Sequence, residues 1–236
     1  MLTFETVNEL TLKVTCRGSD VLFTKAGAFI AGESAGSKNY RFEKVLLGPQ
    51  KGVLNAALGS LARRVTGENL PLMKVTMNGD SETYYANCGQ HVIAYKLDQG
   101  EMISVESENL LAFTGDCDYG VRFLGQGIVS QKGLATSTLT GRGANAYVAV
   151  LSDGNPIVLS NAQSGNVLSV DPDAVICWMG QTGQHCDPAI KTDLSWKNLI
   201  GQHSGESYAY EWGGNQAVTV VIQPSERRGG IRVSVD

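Results

Sequence analysis

Short runs of alternating apolar and polar residues dominate this chain. A period of two, which is typical of half-buried strands, or a short β-branched run occurs at residues 10–15, 21–23, 147–151, 157–160 and 217–222. Clusters of Gly, Asn, Asp and Ser separate these runs, and such residues form turns because they tolerate positive φ or bond to nearby backbone. The spacing, about ten residues per strand, predicts an all-β sandwich or barrel.

Three stretches, residues 18–32, 100–114 and 165–179, align without a gap. Each begins at a turn glycine, continues as an alternating strand and ends in a short apolar run. Because internal repetition indicates repeated structural units, we predict three equivalent strand pairs with a common buried face. The matched apolar columns are Val21, Ile103 and Leu168; Phe23, Val105 and Val170; and Phe29, Leu111 and Ile176.

A second pattern of glycines and a following strand recurs between residues 133–148 and 205–220, and a looser version begins at Gly67. Together the two patterns predict one compact body, residues 1–236, built of three pseudo-repeats: 67–132, 133–204, and 205–236 joined with 1–66. In that arrangement the first and last strands lie side by side and protect strand edges from aggregation.

One segment has a helical period instead. Between residues 51 and 66, apolar side chains recur every three or four positions, which predicts one short amphipathic helix that ends at Gly67. A weaker helical turn is predicted at 194–200, with Asp193 as its N-cap. The apolar stripe of the first helix consists of Leu54, Ala57, Leu58, Leu61 and Val65.

Composition and charge restrict the function classes. The chain has 236 residues, of which 42% are hydrophobic and 18% charged, with a net charge of −4, so we expect a globular protein without a broad positive surface for nucleic acid. The doublets Arg63-Arg64 and Arg227-Arg228 are predicted to be solvated. No apolar run is long enough to span a bilayer and no signal peptide precedes the first strand, so the expected location is cytoplasmic.

Five cysteines are scattered along the chain without a Cys-x-x-Cys pair. An odd, scattered set is typical of free thiols in a reducing compartment. Cys177 lies in an apolar run and is predicted to be buried. The other four cysteines are Cys16, Cys88, Cys117 and Cys186.

A serine hydrolase is one alternative, because residues 32–36 read Gly-Glu-Ser-Ala-Gly. In α/β-hydrolases this motif places the serine on a tight turn between a strand and a helix. Ser34 would be the nucleophile, His203 its base, and Asp171 or Asp173 the orienting acid. However, only 33 residues precede Ser34 and no His-Gly-Gly-Gly segment occurs, so we interpret this motif as a turn.

A cupin-like metal centre is the next alternative. The histidines are His91, His185 and His203, and no His-x-His pair occurs. Residues 185–187, His-Cys-Asp, bring three potential ligands together in sequence, but adjacent side chains on an extended strand point to opposite faces. We therefore predict a polar loop there and no metal site.

Phosphate, cation and RNA binding have weaker signals. The two Gly-x-Gly segments, 125–127 and 141–143, lack the third glycine and helix of a dinucleotide site, so we predict turns or bulges. Four acidic residues occupy matching repeat positions, which indicates exposed strand-end charges or a carboxylate belt: Glu106, Glu108, Asp171 and Asp173. Trp196 and Trp212 are predicted to face outward, but no basic track accompanies them for RNA stacking.

The chain also resembles a known family. Residues 100–113, the block 133–143 and residues 165–171 with the apolar run after them are similar to the mitochondrial biogenesis family named in yeast for altered inheritance of mitochondria. The resemblance extends from about residue 10 to about residue 224. The matched residues are turns and strands, so the resemblance concerns the scaffold.

The resemblance implies a triplicated β fold similar to the barrel-like, double-stranded β-helix-like sheets of the trp RNA-binding attenuation protein. It also implies three such units per chain and a homotrimeric ring. The family has no established catalytic residues to transfer. Eukaryotic members are linked to mitochondrial membrane organisation, and since this chain lacks their targeting segment, a bacterial cytoplasmic member is expected.

The sequence therefore predicts a non-catalytic, homo-oligomeric scaffold or binding module. No catalytic, cofactor-binding or metal-binding residue is predicted, and no cofactor. The expected partner is the chain itself, as a homotrimer, without a membrane span. The alternatives are an RNA-binding ring, a serine hydrolase that uses Ser34, and a cupin-like metalloenzyme.

Overall fold

The computed structural model describes residues 1–45, 72–124, 135–181, 183, 185–192, 208–213 and 215–225, and β-strands are the main regular elements in them. The predicted all-β class is confirmed. The helix predicted at 51–66 and the helical turn predicted at 194–200 lie outside the described residues.

The described residues form nineteen strands and two 3₁₀ turns. Each of the strands predicted from alternation or from a short β-branched run is present, with ends shifted by at most two residues. The strands are β1 (Leu2–Thr6), β2 (Leu12–Cys16), β3 (Ser19–Lys25), β4 (Phe29–Ser34), β5 (Tyr40–Val45), β6 (Leu72–Asn78), β7 (Ser81–Tyr85), β8 (His91–Lys96), β9 (Met102–Val105), β10 (Leu110–Thr114), β11 (Cys117–Phe123), β12 (Ala135–Gly141), β13 (Tyr147–Ser152), β14 (Ile157–Ser160), β15 (Leu168–Val170), β16 (Val175–Gly180), β17 (Ala189–Thr192), β18 (Tyr208–Trp212) and β19 (Val218–Ile222), and the 3₁₀ turns are Ser107–Asn109 and Pro172–Ala174.

These strands form four antiparallel sheets. Sheet I has the order β1-β2-β7-β4, and sheet II has the order β5-β6-β3-β10-β13-β8. Sheet III has the order β11-β12-β9-β16-β19-β14, and sheet IV has the order β15-β18-β17. Sheets II and III each join strands from distant parts of the chain, which ties successive segments together through backbone hydrogen bonds.

The same pairing order occurs three times along the chain. Strands β2 to β7 pair as β2-β7-β4 and β5-β6-β3. Strands β8 to β13 repeat this order as β8-β13-β10 and β11-β12-β9. Strands β14 to β19 repeat it again as β14-β19-β16 and β17-β18-β15. We call these groups the first, second and third strand groups. The first group is joined to the second by β3–β10, and the second to the third by β9–β16.

These strand groups do not coincide with the predicted pseudo-repeats. In the described residues, β18 and β19 pair with strands between residues 157 and 192, whereas the prediction joins 205–236 with 1–66. Much of that joined unit lies outside the described part of the chain. The predicted boundaries, 67–132, 133–204 and 205–236 with 1–66, therefore stay a prediction.

Three apolar clusters lie between successive sheets. The first is formed by residues of sheets I and II, the second mainly by sheets II and III, and the third mainly by sheets III and IV. Burial of apolar area is the main stabilising contribution to such a fold. The chain therefore has a core between each neighbouring pair of sheets, which fixes the strand edges relative to one another.

The gap-free alignment of the first repeat needs a correction. In β3 the buried apolar side chain is Leu22, whereas Val21 and Phe23 are half-buried. Where one strand group pairs with the next, Thr24 of β3 faces Ala112 of β10, just as Val105 of β9 faces Cys177 of β16. Thr24 therefore corresponds to Val105, but one more residue separates Thr24 from Gly18 than separates Val105 from Gly100. Because side chains alternate between faces, this extra residue reverses which apolar positions are buried.

Candidate functional site

The candidate site is built from the strand edges that join one group to the next. At the first junction, Phe113 of β10 faces Phe23 of β3. Their rings stack with centroids 5.0 Å apart. A cross-strand aromatic pair of this kind stabilises a sheet beyond its hydrogen bonds. The junction therefore combines backbone pairing with an apolar contact.

The second junction has the same geometry with other residues. Trp178 of β16 faces Ser104 of β9, and Cys177 faces Val105. The backbone N–H of Glu106 also donates to the carbonyl of Ile176, at 2.9 Å. The edge strand β3 or β9 of one group thus pairs with the edge strand β10 or β16 of the following group; we call β10, β16 and their equivalent in the first group, β4, the receiving edges.

A β-bulge lies at the same position in each receiving edge. The ladder skips Leu111 in β10, Ile176 in β16 and Ile30 in β4. Leu111 and Ile176 are both 0% exposed, whereas Ile30 is 56% exposed. The difference follows from the junctions, because β10 and β16 pair with a preceding group and β4 has no described strand on its outer side.

The opposite end of the chain has the complementary open edge. β15 occupies the position of β3 and β9, but among the described strands it pairs with β18 alone. Leu168 is half-buried and Ser169 is exposed, although Ile103 and Ser104, the equivalent residues of β9, are buried. Among the edge strands of the four described sheets, β4 and β15 therefore correspond to the two sides of one junction.

The sequence analysis did not identify Ile30, Leu168 or Ser169 as functional residues. Their types are ordinary for a strand, and only their exposure distinguishes them from the equivalent residues in the other groups. A comparison of burial across the repeats would be needed to find them. The aligned apolar column that contains Leu111 and Ile176 has Phe29 in the first repeat, but the equivalent bulge position is Ile30, one residue later.

The four repeat-matched carboxylates lie at the turns that lead into the receiving edges. Glu106 and Asp171 precede the two 3₁₀ turns, and Glu108 and Asp173 lie within them. Asp171 Oδ1 accepts a hydrogen bond from the Asp173 N–H, at 2.9 Å. This carboxylate therefore closes a turn, which is a structural role of Asp at the start of a helical turn.

A lysine of the first strand group, Lys25 at the end of β3, lies next to the turn that contains Glu108. The Lys25 ammonium donates to the carbonyl of Glu108, at 2.7 Å. Burial lowers the pKa of Lys25, and the Glu108 carboxylate opposes part of that shift. The turn region thus contains a cation as well as carboxylates, and the repeat-matched acids do not form a continuous acidic belt through the first group.

Ser34 lies at the end of β4. Its Oγ accepts a hydrogen bond from the backbone N–H of Asn39, at 3.2 Å. The chain then turns and enters β5 at Tyr40, so a strand rather than a helix follows the Gly-x-Ser-x-Gly motif. The nucleophile elbow of a hydrolase requires a helix at this point, and the hydroxyl instead stabilises a turn.

Residues 185–187 divide between two faces, as expected from the alternation of an extended segment. His185 Nε2 lies 2.8 Å from Asp187 Oδ2, which is also 3.5 Å from Arg122 Nε. Cys186 belongs to the third apolar cluster, and burial raises the pKa of its thiol. No cluster of three potential metal ligands occurs within the described ranges.

The aromatic residues require one correction. Trp212, predicted to face outward, is buried and packs against Trp178 with ring centroids 5.7 Å apart. Both indole N–H groups donate to the carbonyl of Cys186, at 2.8 Å from Trp178 and 3.3 Å from Trp212. A buried indole needs such an acceptor. Trp212 therefore stabilises the core and offers no platform for RNA bases.

The second Gly-x-Gly segment is explained by close packing. A Cβ at Gly141 would overlap the carbonyl oxygen of Asp98, and one at Gly143 would lie 3.1 Å from Asp116 Oδ2. The intervening Arg142 pairs with Asp118, with Nη1 3.2 Å from Oδ1. Both glycines thus lie close to neighbouring turns of the chain, Gly141 against the backbone of Asp98 and Gly143 against the carboxylate of Asp116.

Several candidates of the sequence analysis lie outside the described residues, so the structure gives no account of them. They are Arg63, Arg64, Arg227, Arg228, Trp196, His203 and the glycine segment 125–127. Within the described residues, no helix is both long and apolar enough to cross a membrane.

Comparison with known proteins identifies the scaffold. The family model for mitochondrial biogenesis AIM24 matches residues 4–225. A protein from Streptococcus pyogenes, solved by X-ray crystallography, has a similar fold: the TM-score is 0.68 at 18% identity, and the alignment covers 96% of this chain and 94% of that one. At this identity the likeness concerns the fold alone. No curated protein sequence matches the chain.

Proposed function

This chain belongs to the mitochondrial biogenesis AIM24 family, and on that premise we propose that it is a non-catalytic scaffold that assembles with copies of itself. The proposed assembly is a homotrimer in the cytoplasm. Its contact surfaces are the open edges of the end sheets, and its role is to present a fixed arrangement of sheets to other molecules.

The exposure of Ile30 carries this proposal. An apolar side chain at the bulge is fully buried in two strand groups and 56% exposed in the first. An open, apolar strand edge is a hazard for aggregation unless another chain pairs with it. Pairing with a further copy would bury Ile30 in the same way as Leu111 and Ile176 are buried.

Several candidate groups of the described residues have structural partners, which supports a role without catalysis. Ser34 accepts the Asn39 N–H, and the Cys186 carbonyl accepts two indole N–H groups. Asp187 is paired with His185 and Arg122. The Ser34 contact closes a turn, and the two indole contacts belong to the third apolar cluster.

Light scattering of the purified chain tests the proposal. A mass three times that of the 25.2 kDa chain is expected at micromolar concentration, and a mass equal to one chain would refute self-association. A screen for ester hydrolysis with wild type and Ser34→Ala tests the absence of catalysis: activity lost only in the variant would establish a hydrolase instead.

A further inference from the structure

We propose that the first strand group carries a binding site for quaternary ammonium groups, formed by the ring faces of Tyr40 and Phe42 and filled in this structure by the side chain of Lys38. The Lys38 ammonium lies 5.0 Å from the centroid of the Tyr40 ring and 5.6 Å from that of the Phe42 ring. We call these two rings the aromatic corner. The inference goes beyond the proposed scaffold role and does not depend on self-association.

The two rings of the aromatic corner meet almost at a right angle. Their centroids are 5.8 Å apart and their planes are inclined by 80°, and the ammonium lies over both faces at once. A cation within about 6 Å of a ring centroid is attracted by the negative face of the ring. Sites that recognise quaternary ammonium ligands use several such faces around one cation. The corner therefore has the geometry of an aromatic cage with two walls.

Alternation along β5 builds the corner. Residues 38, 40 and 42 are two positions apart, so their side chains lie on the same face of the extended chain. Opposite Tyr40 and Phe42 in β6 are Met77 and Val75, both buried in the first apolar cluster. The two rings are half-buried against this cluster, whereas Lys38 is exposed. The corner thus has a packed apolar base and a side that opens to solvent.

A third ring holds the two walls in place. Phe29 of β4 packs edge-on against Phe42, with centroids 4.9 Å apart and an angle of 65°, and its centroid lies 5.7 Å from that of Tyr40. Edge-to-face packing is a favoured arrangement of aromatic side chains, and it orients both walls. A ligand therefore loses little free energy to ordering of the rings, because they are in place before it binds.

The Gly-Glu-Ser-Ala-Gly motif at residues 32–36 supports the corner. A Cβ at Gly32 would lie 2.6 Å from Tyr40 Oη, so a side chain there would displace the tyrosine ring. Ser34 Oγ accepts the backbone N–H of Asn39, at 3.2 Å, which stabilises the turn between β4 and β5 that carries Lys38. Two residues of the motif thus position the corner and its cation.

The charges around the corner select the class of ligand. Among the contacts of the described residues, no salt bridge involves Lys38. The carboxylate of β5, Glu43, pairs with Arg41 at 3.3 Å, and both residues alternate with the rings and so belong to the other face of the strand. Metal ions such as Ca²⁺ and Mg²⁺ require several oxygen ligands. The corner therefore suits an organic cation.

A methylated ammonium should displace the lysine side chain. The lysine ammonium is compact and strongly hydrated, so it gives up favourable contacts with water when it lies against a ring. A trimethylammonium group carries the same charge with an apolar surface, and it has less hydration to lose. Recognition of choline and of methylated lysine by aromatic cages uses this difference.

The fold itself does not require this aromatic pair. Counted from the equivalent residues of β3 and β9, the strand registers make Tyr119 of β11 the equivalent of Phe42, and Cys117 the equivalent of Tyr40. The second strand group therefore forms the same layer with one ring instead of two. The second ring of the first group is thus a feature of this site and not of the repeated strand pattern.

Choline binding to the full chain tests the site. Titrations followed by saturation-transfer NMR compare choline with its neutral tert-butyl analogue, in which carbon replaces the ammonium nitrogen. Choline is expected to bind at least tenfold more tightly, because a neutral group gains nothing from the negative ring faces. Equal affinities would overturn the proposal, and so would the absence of choline binding, as expected if another copy covered the corner.

Variants of the two walls locate the bound choline. Phe42→Leu and Tyr40→Leu should each weaken choline binding at least fivefold. Tyr147→Leu is the matched control, because Lys96 lies 6.0 Å from the centroid of that single ring, and it should leave the affinity unchanged. Circular dichroism and thermal unfolding identify any variant that does not fold. Choline binding that is unchanged in both folded corner variants would overturn the assignment.

Lys38 provides a variant outside the core. Lys38→Ala empties the corner, so choline affinity should rise at least twofold, because the ligand no longer competes with a side chain for its site. Lys96→Ala removes the same charge elsewhere and should leave the affinity unchanged. Unchanged or weaker choline binding in Lys38→Ala would show that choline binds away from the corner.

Vesicles separate two sources of the quaternary ammonium group. A lipid headgroup as the ligand predicts that the protein sediments with phosphatidylcholine vesicles more than with phosphatidylglycerol vesicles, and that Phe42→Leu abolishes the difference. A free solute as the ligand predicts choline binding in solution without retention on either vesicle. Both outcomes support the site. A monomer that binds choline at the corner would support this inference and refute the self-association proposed above.

Discussion

Cys177 and Tyr95 contact each other between two sheets: Cys177 Sγ lies 3.9 Å from Tyr95 Oη. Tyr95 belongs to β8 of sheet II and Cys177 to β16 of sheet III. Burial raises the pKa of the Cys177 thiol to about 12 and also raises the pKa of Tyr95. Both groups are therefore uncharged across the ordinary pH range, which suits a contact inside a core.

Thiol reactivity should follow this burial. The thiolate is the reactive form, and a buried thiol with a raised pKa provides little of it. At pH 8 we expect iodoacetamide to modify Cys88, which is exposed, at least 100-fold faster than Cys177. Peptide mass spectrometry measures both rates in one sample. Equal rates in the folded protein would show that the second core is open to solvent.

Stability should fall at alkaline pH. The pKa of Cys117 is raised to about 11 and that of Cys177 to about 12, so above pH 9 the unfolded chain loses thiol protons that the folded chain retains. This contribution is complete below about pH 9 and is lost toward the folded pKa values, with a slope of about 1.4 kcal/mol per pH unit for each thiol.

Urea denaturation at one fixed protein concentration, between pH 8 and 10.5, measures that loss. Cys177→Ala should lower the starting free energy of unfolding and reduce its decline with pH, because one of the two thiols is gone. Parallel curves for wild type and variant would contradict the assignment of this pH dependence to Cys177.

The two glycines of the turn after β12 should respond differently to alanine. A methyl group at Gly141 meets the backbone oxygen of Asp98, whereas one at Gly143 meets the carboxylate end of Asp116, which can move. We expect Gly141→Ala to cost about 1–3 kcal/mol, in the range of overpacked sites, and Gly143→Ala to cost less. Thermal unfolding of the two variants makes the comparison, and a larger loss for Gly143→Ala would be inconsistent with this packing.

The shared carbonyl of Cys186 predicts non-additive effects in the third core. Trp178→Phe or Trp212→Phe removes one of its two indole donors, and the carbonyl keeps the other. The double variant leaves a partly buried carbonyl without either donor, which adds about 1–3 kcal/mol to the sum of the single costs. A double-mutant cycle from denaturant unfolding measures this excess, and strict additivity would argue against a shared acceptor.

The strands themselves could be predicted from the sequence. The short apolar runs at residues 157–160 and 147–151 match β14 and β13 closely, because short runs rich in β-branched residues and bounded by turn residues are typical of strands. The burial of Cys177 was also predicted correctly from its apolar neighbours. Local pattern is sufficient where a side chain's burial depends on its own strand.

Other features depended on distant strands. Trp212 was expected outside, and its burial against Trp178 arises from the packing of sheet IV on sheet III. Val21 was expected to be the buried residue, but Leu22 is buried in its place, because one extra residue in β3 shifts the alternation. Neither burial pattern can be recognised from the neighbouring sequence, because both depend on the contacts that a strand makes with residues far along the chain.

The amino-acid sequence by itself determined the class of fold, the positions of most strands and the recurrence of one strand pattern. Hydrophobic patterns and turn residues are local properties, so they can be recognised in one amino-acid sequence. Only the tertiary structure decided which strand edges are joined and which stay open. Backbone hydrogen-bonding groups are the same in every strand, and Ile30 differs from Leu111 and Ile176 through the absence of a described neighbouring strand, not through its own chemistry.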